Sequence, residues 1–206
     1  MNGKTFQINM KPLIAIFFLL HFALFASATV IHVGKGFPVQ QIQTAIRQAK
    51  NGDTVMVHGG WYKEGNLLID KSLVLMGVNR PVLDGQKKFE VVSIKADKVV
   101  VDGFQIQGSG YATMEDPCGI KVYDSNEVTL SNNILEDNFF GIYIQYGKNC
   151  IVKNNRIRAY GTEEQQIGNG IHCWKSDGLQ IIGNTISGHR DGIYFEFVSN
   201  SVIWRN

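Results

Sequence analysis

The chain has 206 residues, with 20 basic and 18 acidic side chains and a formal net charge of +2 at pH 7. Both surplus basic residues, Lys4 and Lys11, lie at the N-terminus, so the remainder is formally neutral. Neutrality argues against a nucleic-acid partner, because phosphate binding requires a basic surface. The 3 cysteines form no CxxC pair, which excludes a four-cysteine zinc site and gives little support to a disulfide framework.

Residues 1–28 have the pattern of a secretory signal peptide. Two lysines precede an apolar run at residues 13–25, and residues 26–28 (Ala-Ser-Ala) supply a small-residue cleavage site. We therefore expect the mature chain to begin near Thr29, outside the cytoplasm. A membrane anchor is the alternative, but the apolar run has about 13 residues where a spanning helix needs about 20.

A dipeptide repeat organises the rest of the chain. Gly-Ile recurs with spacings of 22, 29 and 22 residues, beginning at Gly119, Gly141, Gly170 and Gly192. Fourteen residues after each of these glycines stands an asparagine, namely Asn133, Asn155, Asn184 and Asn206. Short alternating apolar segments at this period predict an all-β fold, a right-handed parallel β-helix with coils of about 22 residues. The asparagines should then hydrogen-bond along the axis as a ladder.

Alternation with period two assigns the inward positions of three sheets. The inward residues are Val99, Val101, Val128, Leu130, Cys150, Val152, Leu179 and Ile181 in one sheet, Ile106, Leu135, Ile157 and Ile186 in the next, and Ile120, Val122, Ile142, Ile144, Ile171, Cys173, Ile193 and Phe195 in the third. Two coils carry a seven-residue insertion at the same corner, which predicts loops at residues 108–117 and 159–169. Cys150 and Cys173 are interpreted as small core residues.

An amphipathic helix is predicted at residues 38–50, where it would cover the open end of the stack. Its apolar face comprises Val39, Ile42, Ala45, Ile46 and Ala49. We expect it to end at residues 51–52 (Asn-Gly), and residues 53–55 to lead into the first strand. The repeat continues to Asn206, so residues 29–206 are interpreted as one β-helix domain that is incomplete at its C-terminus.

Outward positions of the third sheet form two columns, Lys121, Tyr143, His172 and Tyr194 in one and Tyr123, Gln145, Trp174 and Glu196 in the other. They indicate a surface for sugar rings, a partner protein or a metal; ordinary strand-favouring aromatics are the alternative interpretation. The predicted binding surface consists of Tyr143, Gln145, Trp174, Arg190, Asp191, Tyr194 and Glu196.

Metal binding is a second hypothesis for the same region. His172 and His189 are candidate ligands for a soft or borderline metal, with Met114 or Cys118 added from the first loop. The alternative is that the two histidines are ordinary polar surface residues.

Catalysis on sugars would need converging carboxylates. The third sheet offers only Glu196 and, at its edge, Asp191, while Glu115, Asp116, Glu163 and Glu164 lie on the loops. We therefore predict that the protein is not an enzyme.

Two stretches, GIHCWKSD at residues 170–177 and GHRDGIYFEFV at residues 188–198, resemble the NosD family, and the likeness extends over residues 29–206, including the GDTV turn at 52–55. The resemblance implies a non-catalytic periplasmic accessory protein of nitrous oxide reductase maturation, active in denitrification. It also implies a β-helix of the carbohydrate-binding and sugar-hydrolysis type, partnered by an ABC-type ATPase and permease, that handles copper for assembly of the reductase's copper centre. The segments that resemble the family contain several candidate functional residues, to which the resemblance assigns no individual roles. They are His172, Trp174, His189, Arg190, Asp191, Tyr194 and Glu196. A carbohydrate-binding or polysaccharide-active extracellular β-helix is the alternative function.

Overall fold

The chain winds as a right-handed parallel β-helix of about seven turns. The structure, a computed structural model, describes residues 28–111, 116–161 and 166–206. The predicted signal peptide lies almost wholly outside these ranges, as do Met114, Glu115, Glu163 and Glu164. Among the described residues, no helix is long and apolar enough to cross a membrane.

Within the described residues, six turns contribute one strand to each of three parallel sheets, and the first and last strands of the chain add to one of these sheets alone. Sheet A contains β1 (Val30–Val33), β2 (Thr54–His58), β5 (Val74–Val78), β8 (Val100–Asp102), β11 (Thr129–Ser131), β14 (Ile151–Lys153), β17 (Gln180–Ile182) and β20 (Val202–Trp204). Sheet B contains β3 (Trp61–Tyr62), β6 (Val82–Asp84), β9 (Gln105–Gln107), β12 (Ile134–Glu136), β15 (Arg156–Arg158) and β18 (Thr185–Ser187). Sheet C contains β4 (Leu67–Ile69), β7 (Val92–Ile94), β10 (Cys118–Tyr123), β13 (Phe140–Gln145), β16 (Ile171–Trp174) and β19 (Ile193–Glu196).

The N-terminal cap differs in detail from the prediction. The helix α1 spans Ile42–Gln48 and buries Ile42, Ala45 and Ile46 against the first coil. Its first two backbone N–H groups donate to the carboxylate of Glu64, at 2.8 and 3.1 Å, which fills the role of a local cap residue. The prediction missed β1, which precedes the helix and pairs with β2. A strand of four residues, close to the apolar signal segment and followed at once by Gly34, gives little periodic signal.

The interior is one apolar column running through the stack. The predicted inward residues are buried in it up to Ile181, whereas Ile186, Ile193 and Phe195 in the last coil are only partly buried. The insertions at residues 108–117 and 159–169 both connect sheet B to sheet C, so they border the same edge of sheet C. The predicted corner for both loops is therefore confirmed.

The repeated glycine is required by the close approach of successive coils. A Cβ atom added at Gly141 would lie 2.4 Å from Cγ2 of Ile157 and 2.5 Å from the carbonyl oxygen of Gly170. At Gly170 the same atom would lie 2.4 Å from Cγ2 of Ile186. Glycine leaves room for the packing of the coil above, and the following isoleucine fills the core.

The predicted asparagine ladder is present. Nδ2 of Asn133 donates to Oδ1 of Asn155 across 3.1 Å, Asn155 donates to Asn184 across 3.0 Å, and Asn184 to Asn206 across 2.8 Å. Each Oδ1 also accepts the backbone N–H one coil below, beginning with Phe104, whose N–H reaches Asn133. These buried amides therefore satisfy one another and fix the register between coils.

Candidate functional site

The outer face of sheet C has the two predicted columns. Strand register pairs Lys121 with Tyr143, Tyr143 with His172, and His172 with Tyr194. The adjacent column runs through Tyr123, Gln145, Trp174 and Glu196 in the same register. Side chains one period apart in the sequence are therefore neighbours on one wall.

The centre of this wall is a packed ring cluster. The imidazole of His172 lies 4.6 Å from the ring of Tyr143, 5.2 Å from that of Tyr194 and 5.3 Å from that of Phe140, measured between centroids. Tyr143 is only 7% exposed, and burial raises the pKa of its hydroxyl to about 12. Tyr143 therefore supports the surface from below and offers little area of its own to a partner.

A polar network fixes the tautomer of His172. Arg190 Nη2 lies 3.3 Å from Oδ1 of Asn169, and because a guanidinium can only donate, it orients the amide oxygen of Asn169 toward itself. The amide nitrogen then donates to Nδ1 of His172 across 3.0 Å. Burial lowers the pKa of His172, so the ring is neutral at pH 7 and carries its proton on Nε2. That nitrogen is a donor, not a free metal ligand.

His189 has the opposite tautomer. Its Nδ1 donates to the carbonyl oxygen of Gly168 across 3.3 Å, and burial lowers its pKa. Its Nε2 is buried and has no hydrogen-bond partner within the described residues. Metal-binding histidines commonly donate one ring N–H to a backbone carbonyl and ligate through the other nitrogen. Of the two predicted ligands, His189 has this arrangement and His172 does not.

Further ligands of the predicted kind are not assembled around the two histidines. Within residues 28–111, 116–161 and 166–206, no group of three or more His, Cys, Asp or Glu side chains could hold a metal ion. Cys118 is fully buried, and burial together with Glu90 raises its thiol pKa well above the ordinary value. Its thiol lies 3.7 Å from Oε2 of Glu90, to which it donates. Met114 lies outside the described residues.

The accessible part of the wall lies toward the last two coils. Tyr194 is exposed, and Trp174 is half-buried against Tyr146, with ring centroids 4.9 Å apart. Arg190 Nε forms an ion pair with Asp191 Oδ2 at 3.3 Å, and both side chains are about half exposed. The structure thus brings aromatic and charged groups of the predicted binding surface to one face.

A polar pocket of about 460 Å³ lies beside this surface, between sheet C and the first loop. Its lining includes Lys88, Glu90, Tyr111, Asp116, Lys121, Tyr123, Tyr143 and Gln145. Glu90 accepts the hydroxyl protons of Ser93 and Tyr123, the latter at 3.1 Å, and Lys121 Nζ lies 3.9 Å away. Desolvation raises the pKa of Glu90.

The sequence reasoning missed Glu90. A signal for it exists, because Glu90 stands two residues before Val92, as Cys118 stands before Ile120 and Asp191 before Ile193. These positions form a third column at the edge of sheet C. The coil that contains Glu90 has no Gly-Ile pair, so the repeat does not mark the position of Glu90 in this column. The alternation assigns Lys121 and Tyr123 to the outward columns, but nothing in it indicates that they contact a half-buried carboxylate.

Comparison with solved structures gives the fold. Pectin methylesterase PemA from Erwinia chrysanthemi superposes with a TM-score of 0.50 and 17% identity, covering 76% of this chain and 55% of that one. A pectin methylesterase solved in complex with a hexasaccharide gives a TM-score of 0.46 and 13% identity, covering 79% and 66% of the two chains. At 17% identity the likeness to PemA shows a shared β-helix and nothing of activity.

Sequence comparison gives the family. The probable ABC transporter binding protein NosD of Stutzerimonas stutzeri is 26% identical over 156 residues, which cover 74% of this chain and 35% of that protein. The chain thus spans about a third of the length of this curated relative. The family described as "Periplasmic copper-binding protein (NosD)" matches residues 89–206, more than half of the chain. The chain belongs to the NosD family.

Proposed function

We propose that this protein is a periplasmic accessory factor for assembly of the copper centre of nitrous oxide reductase, and that it acts with an ABC-type ATPase and permease. The observation that carries the proposal is the match of residues 89–206 to a family of periplasmic copper-binding proteins. The name of the Stutzerimonas stutzeri relative, an ABC transporter binding protein, supports the partnership. The protein has no catalytic role in this proposal.

The outer face of sheet C is the proposed docking surface. Trp174, Tyr194 and Arg190 are residue types that are enriched at the centres of protein interfaces. They stand on a stack of paired strands, and the Asn169 amide ties Arg190 to His172. A surface fixed in this way loses little conformational entropy when a partner binds. Gln145, Asp191 and Glu196 supply its polar rim.

Copper is cargo in this proposal. His189 is the stronger candidate contact of the two histidines, because its Nδ1 carries the proton and its Nε2 has no hydrogen-bond partner within the described residues, whereas Nε2 of His172 bears a proton. A second ligand would come from a partner or from the adjacent loop.

Copurification tests the partnership. The tagged protein, expressed in a denitrifying host that carries the ATPase and permease genes, should retain both from detergent-solubilised membranes. The Trp174→Ala/Tyr194→Ala double variant should retain at least about tenfold less, since truncation of an aromatic hot-spot residue at an interface costs about 2 kcal/mol or more. Tyr160→Ala is the matched control, because Tyr160 is exposed outside sheet C. Equal recovery with all three proteins would contradict the docking surface.

A carbohydrate-binding function is the second candidate, and the pocket beside sheet C favours it. Tyr111 is 44% exposed and offers a ring for sugar stacking, and Lys88 and Lys121 offer charge for acidic sugars. A screen of acidic polysaccharides with the wild type and Lys121→Met separates the two functions. Binding lost in Lys121→Met supports the sugar function; absence of binding and of cleavage counts against it.

A further inference from the structure

The N-terminal coils place two histidines and two methionines on one outer surface. In β2, Val55 and Val57 face the core, so the alternate residues Met56 and His58 face outward. In β1, Val33 is buried and His32 is exposed. The strand register pairs His32 with Met56, and Met56 with Met76 of β5. Partners in neighbouring strands lie about 4.8 Å apart, so these side chains form one continuous row, with His58 beside it.

The two imidazoles are already in contact. Nδ1 of His32 lies 2.9 Å from Nε2 of His58. Phe37 stacks on both rings, with centroids 5.2 Å from His32 and 4.3 Å from His58. The contact between the imidazoles is a hydrogen bond between the two rings, whose planes are tilted by 25°, and Phe37 covers both, so the two nitrogens are held next to each other.

Ligand chemistry identifies what such a row would bind. Two nitrogens at about 2.0 Å from a metal and at a tetrahedral angle are about 3.3 Å apart, so the pair need open by only a few tenths of an ångström. The ring that donates the hydrogen bond must also carry its proton on its other nitrogen, so that both facing nitrogens present lone pairs to the metal. Thioether sulfur is a soft ligand that favours cuprous ion over harder divalent cations. Within the described residues, no third His, Cys, Asp or Glu joins this histidine pair, and the third soft donor beside it is the thioether of Met56.

We propose that His32, His58 and Met56 form a cuprous-ion site on the first two coils, with Met76 as the next soft ligand along the row. The role of this site as an entry point for copper rests on the proposed function. Its ability to bind a soft metal ion rests only on the side chains of His32, His58 and Met56. The site lies in the N-terminal coils, outside residues 89–206, the part that the family model matches.

Direct binding measurements test the site. The purified mature protein is titrated with cuprous ion against a chromogenic chelator, and the wild type should take up one equivalent at this site. His58→Ala should lower the affinity at least about tenfold. Met56→Leu, which keeps the apolar bulk, should lower cuprous affinity about tenfold and leave zinc affinity unchanged. His172→Gln is the control, because Nε2 of His172 carries a proton and so offers no lone pair to a metal ion.

Three results would overturn the inference: wild-type affinity in both His58→Ala and Met56→Leu, a loss that follows His172→Gln instead, or an equal loss of zinc binding in Met56→Leu. Thermal melts of Met56→Leu verify that its fold is intact. Growth on nitrous oxide distinguishes this inference from the proposed function. If the protein is required for growth but binds no cuprous ion at this site, the proposed function stands and the proposed site is wrong. If it binds the ion at this site but is dispensable for growth, the site stands and the proposed function is wrong.

Discussion

The side-chain amide of Asn169 donates to Nδ1 of His172 across 3.0 Å, from one strand-entry position to the middle of the following strand. Asn169 also accepts from Arg190, one coil further along. This single amide therefore links a charged exposed group to a half-buried neutral ring. The proposed docking surface is organised around it.

The neutral state of His172 and His189 predicts a pH dependence of stability. Burial lowers the pKa of both rings below the ordinary value of 6.5, so the unfolded chain binds protons more readily than the folded one. The stability contribution of these rings is complete above pH 6.5 and is lost as the pH falls through the lowered pKa values. Urea unfolding between pH 7.5 and 5.5 should show this loss in the wild type.

The His172→Gln/His189→Gln double variant isolates that contribution. Subtracting its unfolding free energies from those of the wild type removes the titration of the carboxylates. The difference should shrink as the pH falls. A difference that is constant across the range would mean that the two rings titrate as freely in the folded protein as in the unfolded chain.

Asn155→Ala should destabilise the protein by roughly 2–4 kcal/mol. The substitution removes the acceptor of the Asn133 backbone and side-chain donors and one donor to Asn184, and a buried polar group without a partner costs about 1–3 kcal/mol. Gln180→Thr, an exposed change in β17, is the control and should stay within about 0.5 kcal/mol. Chemical denaturation measures both. Equal midpoints would show that the ladder is dispensable.

Gly141→Ala and Gly192→Ala form a matched pair, since both glycines hold the same position in the repeat. At Gly141 the added methyl group would overlap Ile157 and the Gly170 backbone, so we expect a loss of roughly 2 kcal/mol or more. At Gly192 no atom lies within 4 Å of the added carbon, and the effect should be under about 0.5 kcal/mol. Similar melting temperatures for both variants would refute the close-approach explanation.

The three cysteines should be inert in the folded protein. Cys118, Cys150 and Cys173 are buried free thiols whose pKa values are raised by burial. Because the thiolate is the reactive form, an aromatic disulfide reagent at pH 8 should release almost no chromophore from the native protein and three equivalents in denaturant. Rapid native labelling of Cys118 would instead make it an available soft ligand beside the pocket.

The stacking of the coils could be predicted because a fixed period forces residues one coil apart to become neighbours. The constant 14-residue offset, as from Gly141 to Asn155, predicted the asparagine ladder. The alignment of successive Gly-Ile pairs predicted that Tyr143 lies beside His172. Both follow from the backbone alone, without knowledge of any side-chain conformation.

Other features depend on packing that no period encodes. Tyr143 is an outward position, yet neighbouring rings bury it. The hydrogen bond from Tyr123 to Glu90 and the proximity of Lys121 to it depend on side-chain conformations that the repeat does not specify. The contact between His32 and His58 required knowledge that β1 precedes the helix and pairs with β2, and the pattern did not identify that strand.

The copper content of nitrous oxide reductase tests the proposed role most directly. The reductase is purified from a strain that lacks this gene and from the same strain complemented with the wild type or with Trp174→Ala/Tyr194→Ala. Our account predicts a copper-deficient enzyme without the gene, full copper with the wild type and a deficit with the double variant. A fully copper-loaded reductase from the deletion strain would contradict it.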